Sequence, residues 1–561
     1  MKKSIHRPHG ARNVFRRKSI AARVTAGFMA GFAGLIAGQS AQAMELSDPG
    51  SDWSVRLDNT ISYGVGMRAK DADPLIANSP THAQGDNKFS KAGDIVTNRV
   101  SLSTELEAVY EGRMGFRISG SGWYDAAYNG KAAGTPYPSN YSNNEYSDYT
   151  KRQYEQGGEL LDAFVFDNFD ISDHPTTVKF GRLVQYWGNA QFFNSHGISF
   201  GQSASDLIKG SSAPATPAKE LTLPRGQLNV STQLTPTLSL AGQYFFEYAP
   251  DRLPEGGTFL GPADFGFQGP DRFGATGMLN AGLNKPKNTN NNGGLALRWS
   301  PDWAEGTIGF YARHLDETSP WLLFGQRGAN AVYSPTYAQG TNLYGMSYDR
   351  NIYDSSAGFE VSYRQHTGLD TASGSAAAFN ANEGARGNVL NAVANTFISL
   401  DRSRFYDTGT IIAELAYQHL FAVTDNAAMF NGVGTAACGP NGLESGCASK
   451  NSLSAALLIS PQWLQALPSV DISMPIFAMY GVAGNTATLG APVMKGDLTA
   501  SFGVTATVQK VYNFGLTYNF YNGPTNGQAN VPGIGDYYAG GNNMYQNKDK
   551  DWVSLTFSTT F

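Results

Sequence analysis

Residues 551–561 read D-W-V-S-L-T-F-S-T-T-F. Val553, Leu555, Phe557, Thr559 and Phe561 fall on one side of an extended strand, and Ser554, Thr556, Ser558 and Thr560 on the other. A period of two, apolar against small polar, suits a strand with lipid on one face and a wet lumen on the other. A last strand that ends on an aromatic residue in the apolar phase predicts a membrane β-barrel. The same alternation recurs upstream. Trp53, Val55, Leu57, Ile61, Tyr63, Val65 and Met67 share one phase. Val96, Val100, Leu102, Leu106, Ala108 and Tyr110 share another, opposite Thr97, Arg99, Ser101, Ser103, Glu105 and Glu107. Leu498–Val508 and Tyr512–Phe520 repeat it, and each run reaches the roughly 9–11 residues that a tilted spanning strand needs.

The other end of the chain carries the matching address. Residues 1–23 hold eight Lys or Arg and no acid, an apolar Gly/Ala-rich run follows from Val24, and Ala41-Gln42-Ala43 is a small-residue cleavage site. That pattern predicts a secretory signal peptide over 1–43, with one barrel domain over 44–561. Arg16-Arg17 resembles a twin-arginine signal, but a barrel crosses the inner membrane unfolded, which favours the general secretory route. Removing these eight cations from the 41 Lys+Arg leaves 33 against 46 acids, a net charge of −13. Such a chain is a poor match to nucleic acid, where Lys and Arg must neutralise phosphates. Mean hydropathy is −0.30, and no mature stretch approaches 18 consecutive apolar residues. A barrel accounts for this, because only alternate residues of each strand meet lipid.

Connections alternate in length. Short ones are expected near 111–113, 170–175, 235–237, 301–305, 353–354, 400–405, 461–468 and 509–510. Long ones are expected near 69–94, 127–158, 188–224, 250–292, 316–343, 367–386, 423–450, 482–495 and 522–549. Short periplasmic turns, long outer loops and an even strand count follow, with about eighteen strands expected and sixteen the alternative. The run Asn388–Ser399 reads as a strand or as a loop helix. In Thr176–Tyr186 the phase of Val178 and Phe180 turns Arg182 toward lipid, so a bulge at Gly181 or a position at the outer rim is required. About nine mature residues precede the first strand, too few for an N-terminal plug domain. The lumen is therefore open unless a loop enters it, and 188–224 is the first candidate.

That stretch mixes aromatic, charged and proline residues. Trp187, Asn189, Phe192, Phe193, Asp206, Lys219 and Glu220, with Arg182 before them, are candidate ligand or constriction residues. Arg56, Asp58, Arg99 and Glu105 are candidate lumen charges. Phe259, Phe265, Phe267 and Phe273 in the next long loop either greet a hydrophobic ligand or pack the loop. Cys438 and Cys447 sit in a Gly-rich loop and are expected to form a local disulfide in an oxidising compartment. No metal site or cofactor is expected. Gly197-Ile198-Ser199-Phe200-Gly201 matches a nucleophile elbow formally, but that turn needs an α/β sheet, so no enzyme is expected. His196 reads as a loop hydrogen-bonding residue, and His419 shares the apolar phase of Leu415, Tyr417 and Phe421.

Several motifs together resemble a proteobacterial outer-membrane family of unknown function, domain family thirteen-oh-two. They are Gly85-Asp86-Asn87-Lys88-Phe89 with Gly93-Asp94-Ile95-Val96-Thr97-Asn98-Arg99, and Gly122-Trp123-Tyr124-Asp125-Ala126-Ala127-Tyr128. Gly181-Arg182, Trp187-Gly188-Asn189, Phe192-Phe193 and Gly197-Ile198 follow, then Asp206 to Glu220 with Leu223-Pro224, and Lys548-Asp549-Lys550-Asp551. Asn189 stands where the family pattern has Glu. The resemblance implies an outer-membrane location and traffic in lipids, sterols, long-chain alcohols or aromatic compounds. It also implies a periplasmic lipid-carrier-like protein and an inner-membrane permease as possible partners. Phe561 resembles the signal read by the barrel-assembly machinery. The expectation is a channel for a small hydrophobic or amphipathic molecule. An export component, a general diffusion porin and a non-transporting surface barrel are the alternatives.

Overall fold

The structure is a computed structural model that describes residues 44–561 except 49, 134–135, 288–290, 354, 373–375, 440–441 and 491–492. The expected signal peptide, 1–43, lies outside the described residues. Eighteen antiparallel strands form one closed sheet: β1 (Trp53–Arg68), β2 (Ile95–Tyr110), β3 (Met114–Asp125), β4 (Gln156–Ile171), β5 (His174–Leu183), β6 (Arg225–Thr235), β7 (Leu238–Phe245), β8 (Gly293–Trp299), β9 (Thr307–Leu315), β10 (Thr341–Ile352), β11 (Ser355–Gly368), β12 (Arg386–Leu400), β13 (Thr408–Asp425), β14 (Asn451–Leu467), β15 (Val470–Ser473 and Ile476–Ala483, interrupted at Pro475), β16 (Leu498–Val508), β17 (Tyr512–Asn522) and β18 (Trp552–Thr560). β18 pairs with β1 from Thr60↔Thr560 to Arg68↔Trp552, which closes the sheet into a barrel. A barrel satisfies every ladder group internally, the condition for crossing hydrocarbon.

The two-residue side-chain period sets which way each strand faces. Leu102, Leu295, Phe310, Met346, Phe359, Leu415, Phe421 and Leu555 are all exposed, on the outward phase, and make an apolar outer band. His419 lies on this outward phase beside Phe421, with ring centroids 4.8 Å apart. The opposite phase carries Ser62, Ser103, Gln243, Glu360, Gln418 and Ser554, buried on the lumen side. Among the short turns, Ser172-Asp173 and Gln509-Lys510 have φ positive at both residues, the geometry of the tight hairpin turns that match strand twist.

Two details depart from the sequence reading, and one open alternative is decided. Val96 does not face lipid. A register shift between Gly66 and Met67 places Ile95, not Val96, opposite Met67, and Val96 turns inward to pack with Phe89, Tyr128 and Trp552. The turn expected over 461–468 is confined to Pro468-Ser469, because β14 continues to Leu467 and keeps pairing at Gly409↔Pro461. The run Asn388–Ser399 is wholly strand, within β12. The long connections carry their own small elements, including a hairpin (Pro320–Arg327 with Asn330–Tyr337) and a second one (Thr525–Val531 with Gly535–Gly541).

Candidate functional site: a lumen crossed by one loop

After Leu183 the chain leaves the wall and returns only at Arg225. The first limb of this excursion is held by two lumen carboxylates. Glu414 on β13 accepts the backbone N–H groups of Gln191 (2.6 Å), Phe192 (2.9 Å) and Phe193 (2.6 Å). Glu360 on β11 accepts those of Asn189 (2.9 Å) and Ile198 (3.2 Å). Charge-assisted bonds to backbone donors offset the cost of burying a carboxylate. Arg313 on β9 donates to the carbonyls of Ile198 (2.8 Å) and Phe200 (2.6 Å). Phe193 packs on Val393, Ala416 and Ala456 of β12–β14, and Trp187 on Ala296 and Tyr311 of β8 and β9.

The second limb is pinned to the opposite wall. Asp206 caps the short helix Leu207–Ser212 by accepting the N–H of Lys209 (2.8 Å). The Lys209 ammonium is buried between Glu159 of β4 (2.5 Å) and Glu220 (2.7 Å), 4.7 Å above the ring of Trp123. Arg252, from the next outer loop, bridges Glu159 (2.5 Å) and Asp206 (2.8 Å). Lys219 reaches Glu105 of β2 (3.0 Å). The loop therefore crosses the lumen from β2–β4 to β8–β14, and each end is held by buried charge. Breaking such a pair by removing one partner strands the other charge in low dielectric.

Beside the crossing loop a cavity of about 940 Å³ remains. Phe477 and Met479 of β15, Thr517 and Tyr521 of β17 and Ser554 of β18 line one side. Leu207 and Pro214 of the crossing loop line another, with Leu253, Leu260 and Phe267 from the fourth long loop, 250–292. Among its described lining residues Asp370 is the only carboxylate, and none is Lys or Arg. Burial pushes the Asp370 carboxyl up to about 6, opposed by the Asn431 amide bonded to it (2.9 Å). Of the four phenylalanines singled out in the fourth long loop, Phe267 alone lines the cavity. Phe259 packs with Phe89 and Tyr128, while Phe265 packs against Phe273 and meets Phe324 and Tyr333 edge-on.

The other expected site residues divide. Asp206, Lys219 and Glu220 anchor the second limb of the crossing loop, and Trp187 and Phe193 are buried where its first limb packs on the wall. Phe192 lies against the cavity-lining Phe477, with centroids 5.4 Å apart. Arg182 is not a lumen residue. It sits at the outer end of β5 opposite Gly226, faces outward, and pairs with Glu247 (3.3 Å). The outer-rim position resolves its phase, and the β4–β5 register runs without a shift through Gly181. Arg56 pairs with Asp58 (2.8 Å), and Arg99 stacks over Trp123 (4.7 Å). Cys438 and Cys447 form a disulfide. Phe561 follows β18 directly in the chain. Ser199 donates to the Asn194 amide oxygen (3.3 Å). His196 lies 3.1 Å from the Ser195 hydroxyl, its pKa lowered to about 3 by burial and by the Arg364 charge. Sequence reasoning missed Glu159, Arg252, Glu360 and Glu414. Glu414 had a signal: a lone acid in the lumen phase of Ile411-Ile412-Ala413-Glu414-Leu415-Ala416.

Residues 24–561 match the family described as "Protein of unknown function (DUF1302)". The chain belongs to this family. No curated protein matches the sequence. Solved structures it is similar to include OccAB1 of Acinetobacter baumannii (12% identity, 90% of this chain and 96% of that chain, TM-score 0.41) and OprB of Pseudomonas putida (10%, 91% and 94%, 0.36). A third is OpdK of Pseudomonas aeruginosa with vanillate (8%, 90% and 98%, 0.38).

The motifs that carry the resemblance to DUF1302 meet in space. Arg68, fully buried at the outer end of β1, donates to Asp86 (2.7 Å) from the first motif and to Asp549 (2.8 Å) from the last. Lys550 completes the group at 3.2 Å from Asp86, and Lys70 pairs with Asp551 (2.7 Å). This cluster latches the first and last long loops across the β1–β18 seam. Trp123 of the second motif supports both Arg99 and Lys209, so the motifs mark the seam latch and the loop anchor.

Proposed function

We propose that this protein is an outer-membrane channel through which a small hydrophobic or amphipathic molecule passes beside the crossing loop. The observation that carries the reading is the cavity of about 940 Å³ with one carboxylate and no cation among its described lining residues. A passage for ions or sugars gains from charges and polar donors along its path. This one offers Leu, Met, Phe and Pro surfaces with scattered hydroxyl and amide groups, the mix typical of sites for mainly apolar ligands. Passage is passive, and the chain acts without catalysis. The 1–43 segment directs secretion, Phe561 serves the assembly machinery, and a periplasmic lipid-carrier-like protein with an inner-membrane permease are candidate partners.

The test is single-channel conductance of refolded protein in a planar bilayer, with and without residues 188–224. A quiet full-length barrel and a conducting deletion support the reading. Large steady openings of the full-length protein would instead identify a general diffusion pore.

A further inference from the structure

The barrel wall is incomplete on its outer half at one place. β4 is 16 residues long, yet its pairing with β5 starts only at Ala163↔Arg182. Residues 156–160 pair with β3 alone, because the chain turns into the lumen after Leu183 and rejoins the wall at Arg225. An unpaired strand edge normally has to be covered. Here the floor of the breach is the outward-facing Arg182–Glu247 ion pair, and a cavity of about 380 Å³ opens directly above it.

The lining of that cavity joins two environments. Leu160 is half exposed, on the outward face of β4, and Arg182 also faces outward. Leu253, Phe267 and Pro320 line this cavity and also the larger lumen cavity. One continuous set of side chains thus leads from the outer rim of the barrel wall, at head-group level, to the lumen. The charges in the breach are uneven in their partners. Arg182 is paired with Glu247, Arg252 with Glu159 and Asp206, and Glu255 accepts the N–H groups of Phe267, Gln268 and Gly269. Arg152 and Lys285 also line it, are exposed, and have no ion pair among the described residues.

We propose that this breach between β4 and the outer end of β5 is a lateral portal. An amphiphile with an anionic head group passes through it between the outer leaflet and the lumen cavity. Arg152 and Lys285 receive the head at the rim. The chain follows Leu160 and Leu253 to Phe267, into the cavity with no cation among its described lining residues. This assignment rests on the channel reading and adds to it the route and the ligand class.

The experiment uses full-length protein in phosphatidylcholine vesicles containing a fatty acid with a diazirine in its chain, irradiated at a pH where the carboxylate is ionised. The expected result is adducts at Leu253 and Phe267. Arg152→Glu with Lys285→Glu lowers them about tenfold, whereas the chain-matched alcohol labels wild type and variant equally. Both residues are exposed, so the variant is expected to fold, and heat-modifiable gel mobility checks this. Adducts confined to outer-belt positions such as Val165 and Phe180 would overturn the portal. Equal fatty-acid labelling of the folded variant would overturn the head-group assignment. Labelling reports occupancy and needs no transport. Portal adducts in a barrel that transfers no amphiphile would therefore support the portal and remove the channel reading, and transfer without portal adducts would do the reverse.

Discussion

Replacing Glu414 by Gln is expected to release the first limb of the crossing loop. The Glu414 carboxylate is 1% exposed and takes three backbone donors at 2.6–2.9 Å through both oxygens, with the Asn395 amide at 3.4 Å from one of them. Glutamine keeps one oxygen, enough for Phe192 and Phe193. Its amide nitrogen then faces the N–H of Gln191, donor against donor. Stranding one buried donor costs about 1–3 kcal/mol, and the two remaining bonds lose their charge assistance. Relief from burying an anion offsets part of this. A net loss of about 2 kcal/mol raises the detached population of the limb roughly thirtyfold. The assay is open probability in planar bilayers, with protease cleavage within 188–200 of the refolded barrel as a second reading. More frequent openings and faster cleavage are expected, in step with each other. A variant identical to wild type in both would refute the claim that lumen carboxylates hold the loop.

Three further outcomes are expected. Lys209→Met leaves Glu159 and Glu220 facing each other without their shared cation, at a cost of about 3–5 kcal/mol for a broken buried pair. The second limb should detach, read as cleavage within 204–221 while the barrel stays heat-modifiable on gels. Arg68→Met removes the cation between Asp86 and Asp549, and should lower the temperature at which the folded band converts to the unfolded one. An unchanged conversion temperature would show that the seam does not depend on this latch. Glu255 and Asp264, in the fourth long loop, are each raised to about 7 by burial, against the N–H groups bonded to them. Groups whose folded pKa is raised bind more protons folded than unfolded. Their contribution is complete below about pH 4 and is lost as pH rises through about 7. Proteolysis of 250–270 should therefore accelerate between about pH 5 and 8, and a flat or opposite profile would contradict the assignment.

How much was legible in the sequence differs between wall and loops. Strand phase, closure and the turn at Gln509-Lys510 were readable because a side chain's face depends on its own position in a two-residue period. Where phase misled, a local device intervened. A bulge took Val96 inward, and the outer rim let Arg182 face outward with Glu247 as its partner. Residues 188–224 showed the composition of an inward loop, and Glu414 stood out as a lone acid in a lumen phase, but neither it nor Glu360 indicated locally which backbone groups it would hold. Their partners lie 162–171 and 221–223 positions away in the chain. Arg252 was invisible for the same reason, since an ordinary loop arginine becomes an anchor only when the fold brings Glu159 and Asp206 to it.

The sequence by itself determined a closed antiparallel barrel of about eighteen strands with long loops at one end, because alternation and turn chemistry are local properties. Only the tertiary structure decided that one loop crosses the lumen, that the remaining cavity has no cation among its described lining residues, and that β4 keeps an unpaired outer edge. Each of these depends on which distant residues meet, through buried carboxylates, ion pairs and strand register that no single segment specifies.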